Sequence, residues 1–536
     1  MSKLKIAVIV DEGRLSKFGS EAIARIADCD EISVFSCTNT RFKRRLVKHG
    51  AYYLLNMLTV RNPQTRGVDI GECGKGIAET IPFETDYQGA WQSLPDAIVE
   101  RLAGGGFDVI LKFGTGLLRV PDENRLPIPI LSFHHGDPEH FRGRPAGFYE
   151  IFHDSPVMGQ IVQVLANKLD AGNVVAFAET KVLAHSYRAT LVEAYRHSPM
   201  LIETAIRNAR AGVHLGKPPT GRNYRLPGNF TVLRFVLKMA GRYLRRLVYG
   251  ALFEKKWKVS LAPAPSLDAM IGGSAFPAPA QWDTVPTAKP YTFYADPFFL
   301  PHRPGLLVEA LNGRTGLGEI LLVDQGRHEP LLRGQGHSSY PMTIALDGKE
   351  IVLAETAGWA PLHGRVIEEG ELRPLPPLDV EGDPRIIDPT MLSHEGRLYL
   401  FGNRADIGSN ALFLWSADRL DAPFRLHPLS PIRLTPRGSR MAGGLVQTRD
   451  QLIRYGQDFT TGYGVGIFVF AIEAMSATDY RERLIGEVRF SDRRGPHTLN
   501  FRDGQVAFDW YRDRFDPLAG VRRLRAKARA RQGAGS

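Results

Sequence analysis

Two folds in tandem are predicted from the sequence: an α/β domain over residues 1–214 and an all-β, five-bladed propeller over residues 263–516. Three observations predict them. Apolar strands alternate with helical segments in the first part, a degenerate repeat runs through the second, and a basic amphipathic stretch, residues 215–262, separates the two. A length of 536 residues suits this division.

Lys5–Val10 is a largely apolar run that reads as a buried strand, followed by a helical Ser16–Ile26 and a second strand, Glu31–Phe35. Leu94–Leu102 reads as a helix feeding the strand Phe107–Phe113. Ile128–Phe133 is another strand, and Ala184–Ala211 is a closing helical stretch. Such alternation predicts a parallel sheet covered by helices. Cys29, Cys37 and Cys73 have no metal-type pairing and read as reduced thiols of a cytoplasmic protein. The first apolar run is too short for a secretory signal, and no run of about 18 apolar residues predicts a spanning helix.

Pro218-Pro219 and Pro227-Gly228 break the chain, and Asn229–Phe253 then takes a helical period. Leu233, Val236, Leu237, Ala240, Leu244, Leu247, Val248 and Ala251 share one face, with Arg234, Lys238, Arg242, Arg245 and Arg246 on the other. Two readings stay open: the apolar face packs on a neighbouring domain, or it lies on an anionic membrane surface. The formal net charge of +11 concentrates here and at the end of the chain. Residues 222–258 carry ten basic residues and one acidic, and residues 521–536 six basic and none acidic, leaving −4 elsewhere. The charge therefore predicts no nucleic-acid surface on either domain. It points to an anionic membrane, at its inner face, met by residues 222–258 and 521–536. Residues 517–536 form a basic tail, and disorder is expected from residue 521 onward.

Five segments in the second part look alike: Ala295-Asp296-Pro297-Phe298-Phe299, Ser339-Tyr340-Pro341-Met342-Thr343, Ile387-Asp388-Pro389-Thr390-Met391, Met441-Ala442-Gly443-Gly444-Leu445 and His497-Thr498-Leu499-Asn500-Phe501. Hairpin-like turns follow four of them. Five strand-built units spaced in this way describe a five-bladed propeller, with each opening segment on the innermost strand.

The densest polar cluster of the first domain runs from Ser132-Phe133-His134-His135 through Asp137, Glu139 and His140 to Arg142-Gly143. It begins as an apolar strand ends, where open α/β sheets place ligands. Its spacing fits no common zinc pattern, so no metal is expected. Ser132-Phe133-His134, Phe141-Arg142-Gly143 and Leu169-Asp170-Ala171-Gly172 follow one another in order, and Phe107-Asp108 through Gly114-Thr115-Gly116 lies upstream. Together these pieces resemble the folate-dependent formyltransferase family, which includes methionyl-tRNA and sugar N-formyltransferases.

The resemblance implies a formyltransferase-like (Rossmann-like) fold and transfer of a formyl group from 10-formyltetrahydrofolate to an amine. Such a step needs a donor for the developing oxyanion and a base for the ammonium proton. His134 would fill one or both roles, and Asp170 would orient it or accept the proton. Backbone groups at Gly114 and Gly116 would hold the pterin edge, with Arg142 also on the cofactor side. Ser132 stands where the family has an asparagine that polarises the formyl group, and its shorter hydroxyl cannot reproduce that reach. Either His135 substitutes, the donor differs, or the domain is inactive.

In the propeller, Asp296, Tyr340, Asp388, Arg440 and His497 are expected to face the axis, with Glu309, Glu355 and Asp458 nearby. Two Asp and one Glu around such an axis suit inverting glycoside hydrolysis. Tyr294-Ala295-Asp296-Pro297 resembles the first-blade motif of glycosyl hydrolase family 43-like proteins. The order of motifs through Arg440-Met441-Ala442-Gly443 and Gln457-Asp458 to Tyr463-Gly464 resembles the N-terminal propeller of glucosamine inositolphosphorylceramide transferases. Bracing of the blades, sugar binding or transfer, and hydrolysis stay open as roles for the axial residues. Joined, the halves predict a transferase of glycan or glycolipid biosynthesis. It would formylate an amino sugar carried on a nucleotide or lipid, with the propeller binding the glycan. The alternatives are a glycosyltransferase or glycosidase with its chemistry in the propeller, and a non-catalytic glycan-binding scaffold.

Overall fold

The computed structural model describes residues 3–39, 46–59, 61–168, 171–264, 276–334, 336–356, 361–368 and 370–524. It divides into two compact units, Met1–Leu244 and Arg245–Ser536. Seven of the nine described strands in the main sheet of the first are β1 (Ile6–Asp11), β2 (Glu31–Cys37), β3 (Gly76–Phe83), β4 (Val109–Lys112), β5 (Ile130–His134), β6 (Val157–Val164) and β7 (Asn173–Lys181), the short Arg14–Ser16 and Gly67–Asp69 adding at one end of β1. Their order across the sheet is β3-β2-β1-β4-β5-β6-β7. The run from β3 to β5 is parallel, and β6 and β7 add antiparallel. This is the helix-covered, mainly parallel sheet that the alternation predicts.

Burial explains the central position of β1, whose Ile6 to Val10 are all 0% exposed. Apolar side chains pointing both ways need cover on both faces. Helix α1 (Lys17–Ala24) starts where the Ser16 hydroxyl accepts the Gly19 N–H, and lies on one face. Helix α2 (Leu46–Thr59) follows β2. Helix α3 (Asp96–Gly104) packs Ile98, Val99 and Leu102 with Ile9, Ile110 and Ile130 on the other face. The helical stretch expected over 184–211 is two helices, α4 (Tyr187–His197) and α5 (Ile202–Arg210). They are separated by a 3₁₀ turn at Pro199, whose missing N–H interrupts the ladder. All three cysteines are free and buried.

Helix α6 (Asn229–Leu252) is 24 residues long. It buries Val232 and Phe235 against Phe148, Tyr187 and Leu191 of the first unit. Of the two readings left open for the face from Leu233 to Ala251, packing on a neighbouring domain is not what the helix shows, because that face is solvent-exposed. No helix among the described residues is long and apolar enough to cross a membrane.

The second unit contains five antiparallel sheets, the blades of the propeller. Four are consecutive in sequence and begin with the strands Tyr291–Phe299, Ser338–Leu346, Ile386–His394 and Arg437–Met441. The fifth joins both ends of the unit. Leu499–Arg502 and Gln505–Phe515 are continued by Phe253–Pro263 and Asp283–Thr284. Residues 253–262 are thus a blade strand paired along its whole length, although sequence placed them in the linker. Trp257, Val259 and Ala262 are its buried positions, and Phe253-Glu254-Lys255-Lys256 masks that alternation in sequence.

The degenerate repeat has a structural cause. In the first three blades the inner strand bulges at Asp296-Pro297, Tyr340-Pro341 and Asp388-Pro389. The first residue of each pair has a left-handed φ, of 48°, 49° and 48°. A non-glycine residue held there, just before proline, is strained, and the bulge re-aims its side chain. The fourth blade bulges at Gly438-Ser439, with Gly438 at φ 82°. The repeat read as Met441-Ala442 is therefore shifted by four residues, because a glycine there needs no Asx-Pro signature. In the tail, residues 519–524 are helical, with Ala519 buried and Arg523 donating to the carbonyls of Gly250 and Phe253. Disorder expected from residue 521 does not hold for 521–524, and residues 525–536 lie outside the described residues.

Candidate functional site

In the first unit, one face of the sheet changes character at the carboxyl ends of its parallel strands. Ile9, Ile110 and Ile130 belong to the apolar layer under α3. Alternation along each strand puts Asp11, Lys112, Ser132 and His134 on the same face, beyond that layer. Register makes them neighbours: Ile9 pairs with Lys112, Lys112 with Ser132, and Ser132 with Gln163. Ser132 and His134 thus lie beside a lysine and an aspartate that sequence reading passed over. The signal was available, since Val109-Ile-Leu-Lys112 ends an apolar strand in a cation.

Burial is the main reason the Lys112 ammonium is pushed down to about 8, with Asp11 opposing. Its Nζ donates to the Gly116 carbonyl at 2.9 Å. Asp11 accepts the Thr115 N–H at 2.7 Å, and Thr115 sits at a left-handed φ of 60°. A Cβ on Gly114 would lie 2.6 Å from Asp11 Oδ1. The glycine loop therefore folds onto Asp11 and Lys112. Gly114 admits the chain's own carboxylate, where the resemblance implied a pterin edge. Gly136 serves His134 in the same way, because a Cβ there would meet its Nε2 at 2.9 Å.

His135 does not substitute for the missing asparagine. It points to the opposite face, where its Nε2 lies 2.8 Å from Ser198 Oγ and its ring is 4.0 Å from Tyr195. Burial, with His134 adding, pushes it down to about 3, so it stays neutral. Arg142 donates to the Pro219 carbonyl at 2.9 Å on the short strand Phe141–Gly143. Asp137 and Glu139 are engaged by Lys217, and His140 by Asp137. Asp170 lies outside the described residues.

In the second unit, the bulges bring the axial side chains into one buried network. Asp388, 2% exposed, is held by the Nε and Nη2 of Arg440 and by Gln457 Nε2 at 2.9 Å. Glu355 accepts the Asp388 N–H at 3.2 Å. The Tyr340 hydroxyl accepts the Gly443 N–H at 2.8 Å and lies 3.0 Å from Thr390 Oγ1, tying the second, third and fourth blades together. Asp296 accepts the Thr498 hydroxyl at 2.5 Å, and its carboxyl lies 3.5 Å from His497 Nε2. Asp509 was missed from sequence, although a lone acid inside the apolar Val506–Tyr511 run was the cue. It receives the N–H groups of Asp296, His497 and Thr498, with His497 Nδ1 2.5 Å away.

Asp458 does not join this network. It is ion-paired with Arg489 and accepts both the N–H and the hydroxyl of Thr460. Asp296, His497 and Asp509 offer ligand atoms within 4.8 Å of one another, as a metal ion would need. Hydrogen bonds within the same network link these side chains across the first and fifth blades.

Crowding of carboxyls sets the electrostatics. Burial and then the Asp296 carboxyl hold Glu309 well above the usual carboxylate range. Burial opposes charge on His497, but Asp509 and Asp296 outweigh it and raise its pKa. Burial likewise opposes Arg440, and Asp388 more than restores its charge. Glu355 differs: burial and then Asp388 push it up to about 7, which makes it a proton-exchanging group near neutrality.

Residues 380–504 match the family model described as glucosamine inositolphosphorylceramide transferase 1, N-terminal. No curated protein matches the sequence. Among solved structures, the chain is similar to glycinamide ribonucleotide transformylase 1 from Symbiobacterium toebii (19% identity, 40% of this chain and 92% of that one, TM-score 0.27). It is also similar to a candidate sugar N-formyltransferase from Mycobacterium tuberculosis (13%, 44% and 87%, TM-score 0.27). A third is a GH43_1 enzyme from Xanthomonas citri (14%, 38% and 79%, TM-score 0.28). At such identities and TM-scores none of the three carries its chemistry to this chain.

Proposed function

We propose that the chain is a transferase of glycan or glycolipid biosynthesis that formylates an amino sugar, with the propeller binding the glycan. One observation carries this reading: the row of Lys112, Ser132 and His134 at the carboxyl ends of β4 and β5, backed by Asp11. The donor set fits a formyl carbonyl. Lys112 supplies the cationic donor that the shorter Ser132 hydroxyl cannot, and His134 is placed to take the ammonium proton of an attacking amine. Bound 10-formyltetrahydrofolate would supply the one-carbon unit. Lys112, Ser132 and His134 would be the residues to hold its formyl end.

The full chain, mixed with 10-formyltetrahydrofolate and nucleotide-linked amino sugars, is expected to give formylated product by mass spectrometry. His134→Ala should lower the rate by about 10²- to 10⁴-fold, the usual worth of a positioned acid or base. Absence of 10-formyltetrahydrofolate binding by calorimetry would sink the reading. So would full activity in both His134→Ala and Lys112→Met.

Glu355 favours a second reading, sugar chemistry at the propeller axis. A carboxyl pushed up to about 7 by burial and the neighbouring Asp388 can exchange a proton with a sugar hydroxyl. Glycan binding or turnover at the propeller should then change between about pH 6 and pH 8. Glu355→Gln should abolish that dependence, and an unchanged profile would exclude Glu355.

A further inference from the structure

We infer that α6 is a docking element for an anionic lipid bilayer, which it meets side-on with its exposed apolar face. The inference stands apart from the proposed reaction and rests on the helix itself.

Helix α6 is amphipathic in an inverted sense. Its few buried positions, Val232 and Phe235, hold it to the first unit, while Phe230 and four of its leucines face solvent. Phe230 is 71% exposed, Leu233 55%, Leu237 63% and Leu244 61%. Leu247 and Val248 extend the same row. At 100° per residue these six fall within an arc of about 100°, opposite the buried pair. A continuous exposed row of this kind marks an interaction site. At the same end, Asn229 donates to the Val47 carbonyl and accepts the Ala51 N–H, which brings the exposed Val47 of α2 beside it.

Charge names the occupant. Helix α6 contains five basic residues and no acidic one. Arg234, Lys238 and Arg245 follow one edge of the apolar arc, where headgroup phosphates lie when such a row is immersed. Lys238 and Arg242 are paired with Asp154, and Arg234 and Arg245 remain at the exposed edge. Beside them a cavity of about 550 Å³ is lined by Phe152, His153, Arg234, Leu237 and Lys238. With Lys238 shared with Asp154, Arg234 is the cation this recess offers to an anionic headgroup, beside the apolar ridge that would meet the acyl chain.

The structure also narrows the surface predicted from charge counts. Lys255 donates to the Tyr463 carbonyl and lies over the Tyr511 ring, and Lys258 lies over Trp510. Arg522 pairs with Asp516, and Arg523 holds backbone carbonyls. These four cations are engaged within the propeller unit, whereas Arg234 and Arg245 of α6 stay at the exposed edge.

Liposome flotation of the full chain tests this. The protein should float with vesicles of phosphatidylcholine mixed with phosphatidylglycerol, and not with phosphatidylcholine alone. Arg234→Gln with Arg245→Gln should weaken partitioning about 30-fold, as expected for two cations at an anionic surface. Leu233→Ser with Leu237→Ser and Leu244→Ser should abolish flotation and leave the thermal melt unchanged, because all three side chains are exposed. Failure of the wild-type protein to float overturns the inference, as does equal binding to both vesicle types. A dimer by light scattering that the leucine variant dissociates would assign the face to a second copy and overturn it too.

Discussion

Arg440→Met is expected to destabilise the propeller by about 3–5 kcal/mol, the cost of leaving one member of a buried ion pair unpaired. Asp388 is 2% exposed and accepts two hydrogen bonds from one guanidinium, through the Nε and Nη2 of Arg440. Gln457 alone cannot replace that charge, although its Nε2 also donates to Asp388. Left unpaired, the carboxylate would destabilise the third blade's bulge, which it heads. Removing both partners is a different matter. Arg440→Met with Asp388→Leu leaves no uncompensated charge and should recover part of the loss, as paired replacements of buried ions often do. Chemical denaturation followed by tryptophan fluorescence measures both. An Arg440→Met variant within about 1 kcal/mol of wild type would mean that solvent already reaches Asp388.

Glu150→Gln should stabilise the first unit at neutral pH. Glu150 is 2% exposed, and burial pushes its carboxyl up to about 8 despite N–H groups from its own turn. The folded chain therefore keeps a proton that the unfolded chain releases from about pH 4.5 upward. Stability from this group is complete below that pH and declines as pH rises toward 8. At pH 7 the penalty amounts to about 3 kcal/mol, or about 5–10 °C in melting temperature for a unit of this size. The glutamine variant escapes the penalty. Its advantage should shrink to nothing near pH 4.5, and a gap independent of pH would show that charge is not its source.

Most of the architecture was legible in the sequence. Apolar runs such as Ile6–Val10 announce buried parallel strands, and the Asp-Pro, Tyr-Pro and Asp-Pro pairs announce the first three blades. What escaped notice had physical reasons. Strands β6 and β7 alternate weakly because both their faces are covered, as Met158, Ile161, Val162, Val175 and Ala176 show. The fourth bulge relies on Gly438, whose backbone freedom leaves no side-chain signature. The candidate site was half visible. Ser132 and His134 stand in a polar cluster that draws attention, whereas Lys112 and Asp11 reach them only through strand register. Partners across a sheet are invisible to local pattern, and so was Asp509, which meets Asp296 from 213 residues away.

The fifth blade carries a consequence for how the second unit is made. Phe253–Pro263 is synthesised first, yet its partner Gln505–Phe515 comes last. Until then the early strand has a bare edge, rich in hydrogen-bonding groups and able to pair with the wrong chain. Closing the ring must wait for contacts of very high sequence separation, which slows folding. Lys255, Lys256 and Lys258 lie on that waiting edge. In the finished blade Lys255 and Lys258 rest over aromatic rings; on the nascent chain, the mutual repulsion of the three lysines would keep identical edges from zipping together.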